Sequence, residues 1–181
     1  MTKLGIIGAM QVEVEILLGA LENKTERDIA GSTFYAGELG GQSAVIVQCG
    51  VGKVNAALCA QILCDCFGVT HLVNTGIAGS LCADLDIGDL VVSTDAMYHD
   101  FDCVHFGYPY GKVPGMDTIS FPADETMIGY AVKAAEAVNP PVNTPSNPFS
   151  ATASRIPLAS TWPNPVRGTL APAPAHFAIG P

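Results

Sequence analysis

Short apolar runs alternate with helix-period segments through the first 138 residues, and the pattern then stops. Lys3 to Gly8 reads as a short buried strand that ends in glycine. Gln11 to Leu21 reads as a helix, with Val14, Leu17, Leu18 and Leu21 at i, i+3, i+4, i+7. Ser32 to Glu38 and Ser43 to Gln48 read as strands, with Gly40-Gly41 between them as a hairpin signal. Gly50-Val51-Gly52 turns the chain into an Ala-rich helix over Lys53 to Phe67. His71 to Asn74 is another short strand, and it runs into the small-residue loop Thr75 to Ser80. A further strand is expected over Asp89 to Thr94, an ordered aromatic and Gly-rich loop over Tyr98 to Pro114, and a third helix over Asp124 to Val138. Strands alternating with helices predict an α/β fold, and the Ser32–Gln48 hairpin makes the sheet mixed.

Beyond Val138 the chain changes in kind. Ten of its 13 prolines lie at 140 or beyond, and no Asp, Glu, Lys or Cys occurs there. Proline removes backbone donors and breaks helices and strands, so no regular elements are expected from this segment. Residues 1–138 therefore read as one α/β domain that is C-terminally incomplete, and 139–181 as an irregular tail rich in Pro, Ser, Thr and Ala. The stretch Ala137 to Pro145 (AVNPPVNTP) joins the two. A linker should lead to a second pattern, and this one does not. A frame break is the expected origin of the tail.

At 181 residues, 49% hydrophobic and 14% charged, the chain can build one sizeable core. The formal net charge of -9 argues against a nucleic-acid binder, which needs clustered Lys and Arg. No apolar run approaches the ~20 residues that span a bilayer. Lys3 to Met10 is too short for a signal peptide and is followed at once by Glu13 and Glu15. Six cysteines fall inside apolar segments without a disulfide or zinc spacing, so buried reduced thiols and a cytoplasmic location are expected.

Small-residue turns after strands are where α/β proteins receive ligands. Cys49-Gly50-Val51-Gly52-Lys53 and Thr75-Gly76-Ile77-Ala78-Gly79 are two such turns. The first is not a phosphate loop, because the pattern would need Gly at 47 and Ser or Thr at 54, where Val47 and Val54 stand. Glu13 and Glu15 both lie where the helix dipole favours carboxylates, and periodicity does not choose between them. His99-Asp100-Phe101-Asp102 has metal-compatible side chains but no second cluster to complete a site, so ordering of the loop is the expected role. Phe106-Gly107-Tyr108-Pro109-Tyr110 is a dense aromatic patch suited to a core, an interface or a wall against a flat ligand.

Taken in order, these segments resemble the bacterial 5′-methylthioadenosine/S-adenosylhomocysteine nucleosidases of the nucleoside phosphorylase-like superfamily. The resemblance is carried by Gly5 to Met10 followed by Glu13, Gly50 to Ala56, Asn74 to Gly79, Ile87 to Ser93, Tyr98-His99-Asp100, and Phe106-Gly107-Tyr108 with Gly111 and Pro114. It covers about residues 1–138. It implies a three-layer α/β sandwich around a mixed sheet, and a homodimer. It also implies a nucleoside substrate and neither metal nor cofactor. Carried over residue by residue, Glu13 activates the attacking water. Met10, Ala78 and Gly79 line the ribose–adenine pocket, and Val51 touches the nucleoside from the glycine turn. Phe106 and Pro114 reach across the dimer to cover the 5′-alkylthio group. Ile77 stands where many relatives have Ser, and Cys103 where an apolar residue is usual.

The reaction that this resemblance implies needs more than those residues. Cleaving a ribose–adenine bond passes through an oxocarbenium-like state, in which one carboxylate helps water attack C1′ and a second acid protonates adenine N7. In the family a Ser-Asp motif supplies that acid and a Met-Glu-x-Glu motif holds the ribose hydroxyls. Both follow the region matched here, and residues 139–181 contain neither. Little or no hydrolysis is expected of this chain. Three alternatives stand beside the nucleosidase: an inactive fragment with partial nucleoside binding, a metal-dependent hydrolase using His99, Asp100 and Asp102, and a purine nucleoside phosphorylase. The last would need a phosphate-binding cation, and Arg27 is the only arginine before residue 140.

Overall fold

A computed structural model describes residues 2–78, 90–138 and 178–179. The chain divides into two compact units, Met1–Ile77 with Ala175–Pro181, and Ala78–Pro174.

The first unit contains β1 (Lys3–Gly8), α1 (Gln11–Ala20), β2 (Glu22–Ile29), β3 (Ser32–Leu39), β4 (Gln42–Gln48), α2 (Lys53–Phe67) and β5 (His71–Asn74). The strands form one sheet in the order β2-β3-β4-β1-β5, closed on the β5 side by the two residues Ala178–Ile179. β1 runs parallel to both β4 and β5, whereas β2-β3-β4 is an antiparallel meander. The mixed sheet is thus as expected. The β3–β4 turn is built as the sequence predicts: Gly40 and Gly41 have φ of 57° and 79°. Two left-handed residues in a row make the tight hairpin turn that glycine allows at least cost.

Strict alternation along β1 and β4 feeds two cores. Ile7, Val45 and Val47 point to the face covered by α2, where they join Phe34, Cys59 and Leu63. Ile6, Ala44 and Ile46 point the other way and join Val14 and Leu21 under α1. A helix on each face of a sheet gives three layers. Phe34 is fully buried and stacks on Phe67 with ring centroids 5.2 Å apart.

β2, sequence ENKTERDI, is not foreseen by the hydrophobic pattern, because every residue but Ile29 is exposed. It is held by its ladder to β3 and by its long side chains. Lys24 lies over the Tyr35 ring, Arg27 over the Phe67 ring, and Thr33 Oγ1 donates to Asp28 Oδ1 at 2.7 Å. A charged edge of this kind discourages pairing with another chain.

The second unit holds β6 (Asp95–Met97), a 3₁₀ turn at Val104–Phe106, β7 (Ser120–Pro122) and α3 (Glu125–Val138). The strand expected over 89–94 is displaced: Asp89 lies outside the described residues, Ser93 makes an isolated bridge, and the ladder begins at Asp95. Its partner β7 is a three-residue segment too short to announce itself by alternation. Tyr98 fixes this region, packing on Phe101 and edge-on against Phe121. Asp124 caps α3, its Oδ1 accepting the Met127 N–H at 2.8 Å.

The final strand, β8 (Ala178–Ile179), pairs antiparallel with β5, Leu72 opposite Ile179 and Val73 opposite Ala178. It falls in a stretch that is free of proline between Pro174 and Pro181. The remaining residues after Val138 lie outside the described residues.

Candidate active site

Three parallel strands, β4, β1 and β5, end at one edge of the first unit's sheet. The connections leaving β1 and β4 go to opposite faces: α1 covers the Ile6–Ile46 side and α2 the Ile7–Val47 side. The chain after β1 leads toward β2-β3-β4, and the chain after β4 crosses β1 to reach β5. The carboxyl end of β1 is therefore a switch point, the place where open α/β sheets leave a crevice for ligands. Cys49 N–H to Gly8 O and Thr75 N–H to Ile7 O, both 2.9 Å, draw the three strand ends together.

Glu13 stands at this point. Met10 is the residue that caps α1, with an extended backbone, and its N–H donates to Glu13 Oε2 at 2.9 Å. That is the return half of a capping box. The other oxygen, Oε1, accepts the N–H of Ile77 at 3.0 Å. The carboxylate is thus tied both to its own helix and to the loop after β5. Glu13 is half-buried and Glu15 is exposed. Of the two carboxylates, Glu13 is the one tied to this edge. A carboxylate has about four acceptor positions. The two N–H groups use one on each oxygen, leaving lone pairs that could take a proton from water.

The glycine turn after β4 flanks the same edge. Gly50 and Gly52 have φ of 80° and 108°, and Asn55 Nδ2 donates to Val51 O at 2.9 Å, closing the turn. The Val51 side chain is exposed. Cys49 is buried just before it, its thiol donating to Gly50 O at 3.0 Å. Burial pushes the Cys49 thiol above its ordinary value, and nearby Cys59 and Glu13 push the same way against a backbone hydrogen bond.

Met10 and Glu13 are thus brought together with Gly76 and Ile77 in the first unit. Ala78, Phe106 and Pro114 belong to the second unit, where each is exposed, and Gly79 lies outside the described residues. Phe106 ends the 3₁₀ turn with its ring 81% exposed. The His99–Asp102 segment acts within its loop. Asp102 Oδ1 accepts the Val104 N–H at 3.1 Å, and the Tyr110 hydroxyl donates to the His99 carbonyl. Among the described residues no three His, Cys, Asp or Glu side chains converge as metal ligands. The thiols do not behave alike: Cys49 and Cys59 are buried as expected, but Cys64 and Cys66 are exposed on α2. The expectation of uniformly buried thiols is corrected here: Cys64 lies five positions, about 140°, around α2 from buried Cys59, and Cys66 lies in the helix's last turn.

The phosphorylase superfamily matches over residues 3–148. The chain belongs to this superfamily. Among its relatives, the 5′-methylthioadenosine/S-adenosylhomocysteine nucleosidase of Halalkalibacterium halodurans is 45% identical over 141 residues, 78% of this chain and 61% of the relative. The crystal structure of the Colwellia psychrerythraea nucleosidase in complex with adenine superposes with a TM-score of 0.73 at 44% identity, over 76% of this chain and 56% of that one. The Neisseria meningitidis nucleosidase with methylthio-immucillin-A gives 0.72 at 37% identity, over 76% and 59%. The chain spans less than two thirds of the length of these relatives.

Proposed function

We propose that the chain carries the water-activating part of a 5′-methylthioadenosine/S-adenosylhomocysteine nucleosidase site, releasing adenine by hydrolysis in methionine salvage and methyl-cycle clearance. The observation that carries this reading is Glu13. It is a carboxylate held on both oxygens by backbone N–H groups, at the switch point of a sheet shared with nucleosidases. In the proposed reaction Glu13 accepts a proton from the water that attacks C1′, Met10, Ala78 and Gly79 line the ribose–adenine pocket, and Val51 meets the nucleoside. Phe106 and Pro114 of a second copy cover the 5′-alkylthio group in a cytoplasmic homodimer. The exposed Phe106 and Val51 side chains suit such roles.

The acid that protonates adenine N7 is not supplied by residues 139–181, which contain no Asp or Glu. Residues 1–138 are therefore proposed to be the nucleosidase-like domain and 139–181 a segment without catalytic groups. Two proteins test this. The 181-residue chain should release adenine from methylthioadenosine far below the ~1–10³ s⁻¹ of typical enzymes. A chimera, with the segment after Val138 taken from the Colwellia psychrerythraea nucleosidase, should release adenine without added phosphate. Substituting Glu13→Gln in the chimera should lower kcat by about 10²–10⁴, the usual worth of a general base. A folded chimera that releases no adenine would overturn the reading, and strict phosphate dependence would replace it with a phosphorylase.

A further inference from the structure

Gly76 marks where the Glu13 carboxylate sits. A Cβ at residue 76 would lie 2.4 Å from Glu13 Oε1, 2.7 Å from its Cδ and 3.1 Å from Oε2. All three nearest atoms belong to that one carboxylate. The backbone of Gly76 is not in the left-handed region that demands glycine. Alanine would fit the main chain at this position, so the nearest obstacle is the Glu13 carboxylate.

We propose that Gly76 is a positioning residue for Glu13: the space left by its missing side chain is the seat of the carboxylate. Left to α1, Glu13 would make only its local bond to the Met10 N–H. That bond leaves rotation about the last side-chain torsion loosely defined, because terminal sp³–sp² torsions are broad. The second donor, the Ile77 N–H, comes from 64 residues along the chain and fixes that rotation. It can reach Oε1 only because the carboxylate lies directly against the backbone at residue 76. The loop is itself pinned to β1 by the Thr75 N–H to Ile7 O bond. The facing of the carboxylate is thus set by the loop after β5, not by the helix that bears it.

Gly37 provides a contrast. A Cβ there would meet the Glu22 carbonyl at 2.4 Å and Leu21 Cγ at 2.9 Å, which are backbone and core atoms. Substitution at Gly37 is a packing fault and should be indifferent to Glu13.

The proposal rests on the nucleosidase reading only for its catalytic consequence, and its test does not. A double-mutant cycle of Gly76→Ala and Glu13→Ala, read by urea unfolding of the 181-residue chain, isolates the coupling. Gly76→Ala should raise the unfolding equilibrium constant about tenfold with Glu13 present and less than about twofold with Ala at 13, while Gly37→Ala costs the same in both backgrounds. If Gly76→Ala fails to fold and the double variant folds, the proposal stands. If both fail, or if the cycle is additive, it is overturned. A second readout is the Ile77 amide resonance. In the native chain it should move with Glu13 protonation together with that of Met10. In Gly76→Ala the Met10 response should persist and the Ile77 response vanish. An unchanged Ile77 response would also overturn the proposal. In the chimera, Gly76→Ala should lower kcat at least tenfold with KM within about threefold, as expected when a group acting in the transition state is misplaced.

Discussion

Glu13 and Glu15 differ by two positions and so by about 200° around α1. One turns into the gap between the β1 and β5 ends and the other into solvent. In the chimera Glu15→Gln should therefore leave adenine release within about twofold of the parent, a surface change of the kind that rarely exceeds ±0.5 kcal/mol. At Ile77 the N–H does the work and the side chain is 73% exposed. Ile77→Ser should keep the Glu13 bond and its amide response. Cys49 is a different case. Its folded thiol titrates above the ordinary 9.0 because burial disfavours the thiolate, with Cys59 and Glu13 adding to the effect. Between that ordinary value and the raised one, the folded chain holds a proton that the unfolded chain has released. Stability from this group is then intact below pH 9.0 and falls as pH rises through the window. Unfolding midpoints measured from pH 7 upward should drop more steeply for the parent than for Cys49→Ala, with the two curves parallel below that window. Native alkylation followed by mass spectrometry should label exposed Cys64 and Cys66 at least about tenfold faster than buried Cys49 and Cys59.

Elements that reach a core were legible from sequence, because burial imposes an apolar run on strands covered on both faces and a period on helices covered on one. β1, β4, α1 and α2 stand within a residue or two of their expected bounds, since Ile6, Ile7, Val45 to Val47, Val14 and Leu63 must all reach a core. β2 and β7 were not legible. β2 is a ladder strand exposed at every residue but Ile29, with no apolar alternation, and β7 is three residues whose pairing with β6 is a tertiary choice. The site followed the same rule. The glycine turns after β1, β4 and β5 were legible, but the Ile77 N–H bond to Glu13 and the space at Gly76 depend on how β5 registers with β1, which no local pattern encodes. Where the period was clear the energetics should be large. Phe34 of β3 is fully buried, in one cluster with Val47 of β4 and Leu63 of α2 and stacked on Phe67. Phe34→Ala should cost about 3–5 kcal/mol, a large part of the ~5–15 kcal/mol that stabilises a typical domain. Urea denaturation would show it as a lower midpoint at similar slope. A loss under about 1 kcal/mol would mean that this core is not packed as described.

Across the first unit, large apolar side chains remain in water at the same edge as Glu13. Val12 and Ile16 lie on the first turns of α1, Val54 and Leu58 on those of α2, and Val51 on the turn between β4 and α2. Scattered exposed hydrophobics are ordinary. Here, however, two pairs at i, i+4 stand on the N-terminal turns of two helices whose opposite flanks are already buried, with Ile16 80% and Val54 78% exposed. Neither pair can serve the two cores under the helices, so a surface from outside the unit must cover them if they are to leave water. A second copy of the chain is the proposed cover. Specific interfaces usually bury ~1,200–2,000 Å² in total, so one charge near the centre should matter. Sedimentation velocity over a concentration series should show the parent chain associating. Val54→Glu or Leu58→Glu should shift it to monomer by at least about tenfold in concentration while the urea midpoint changes little. A parent that is monomeric throughout, or variants that associate equally well, would remove these helix faces as the interface.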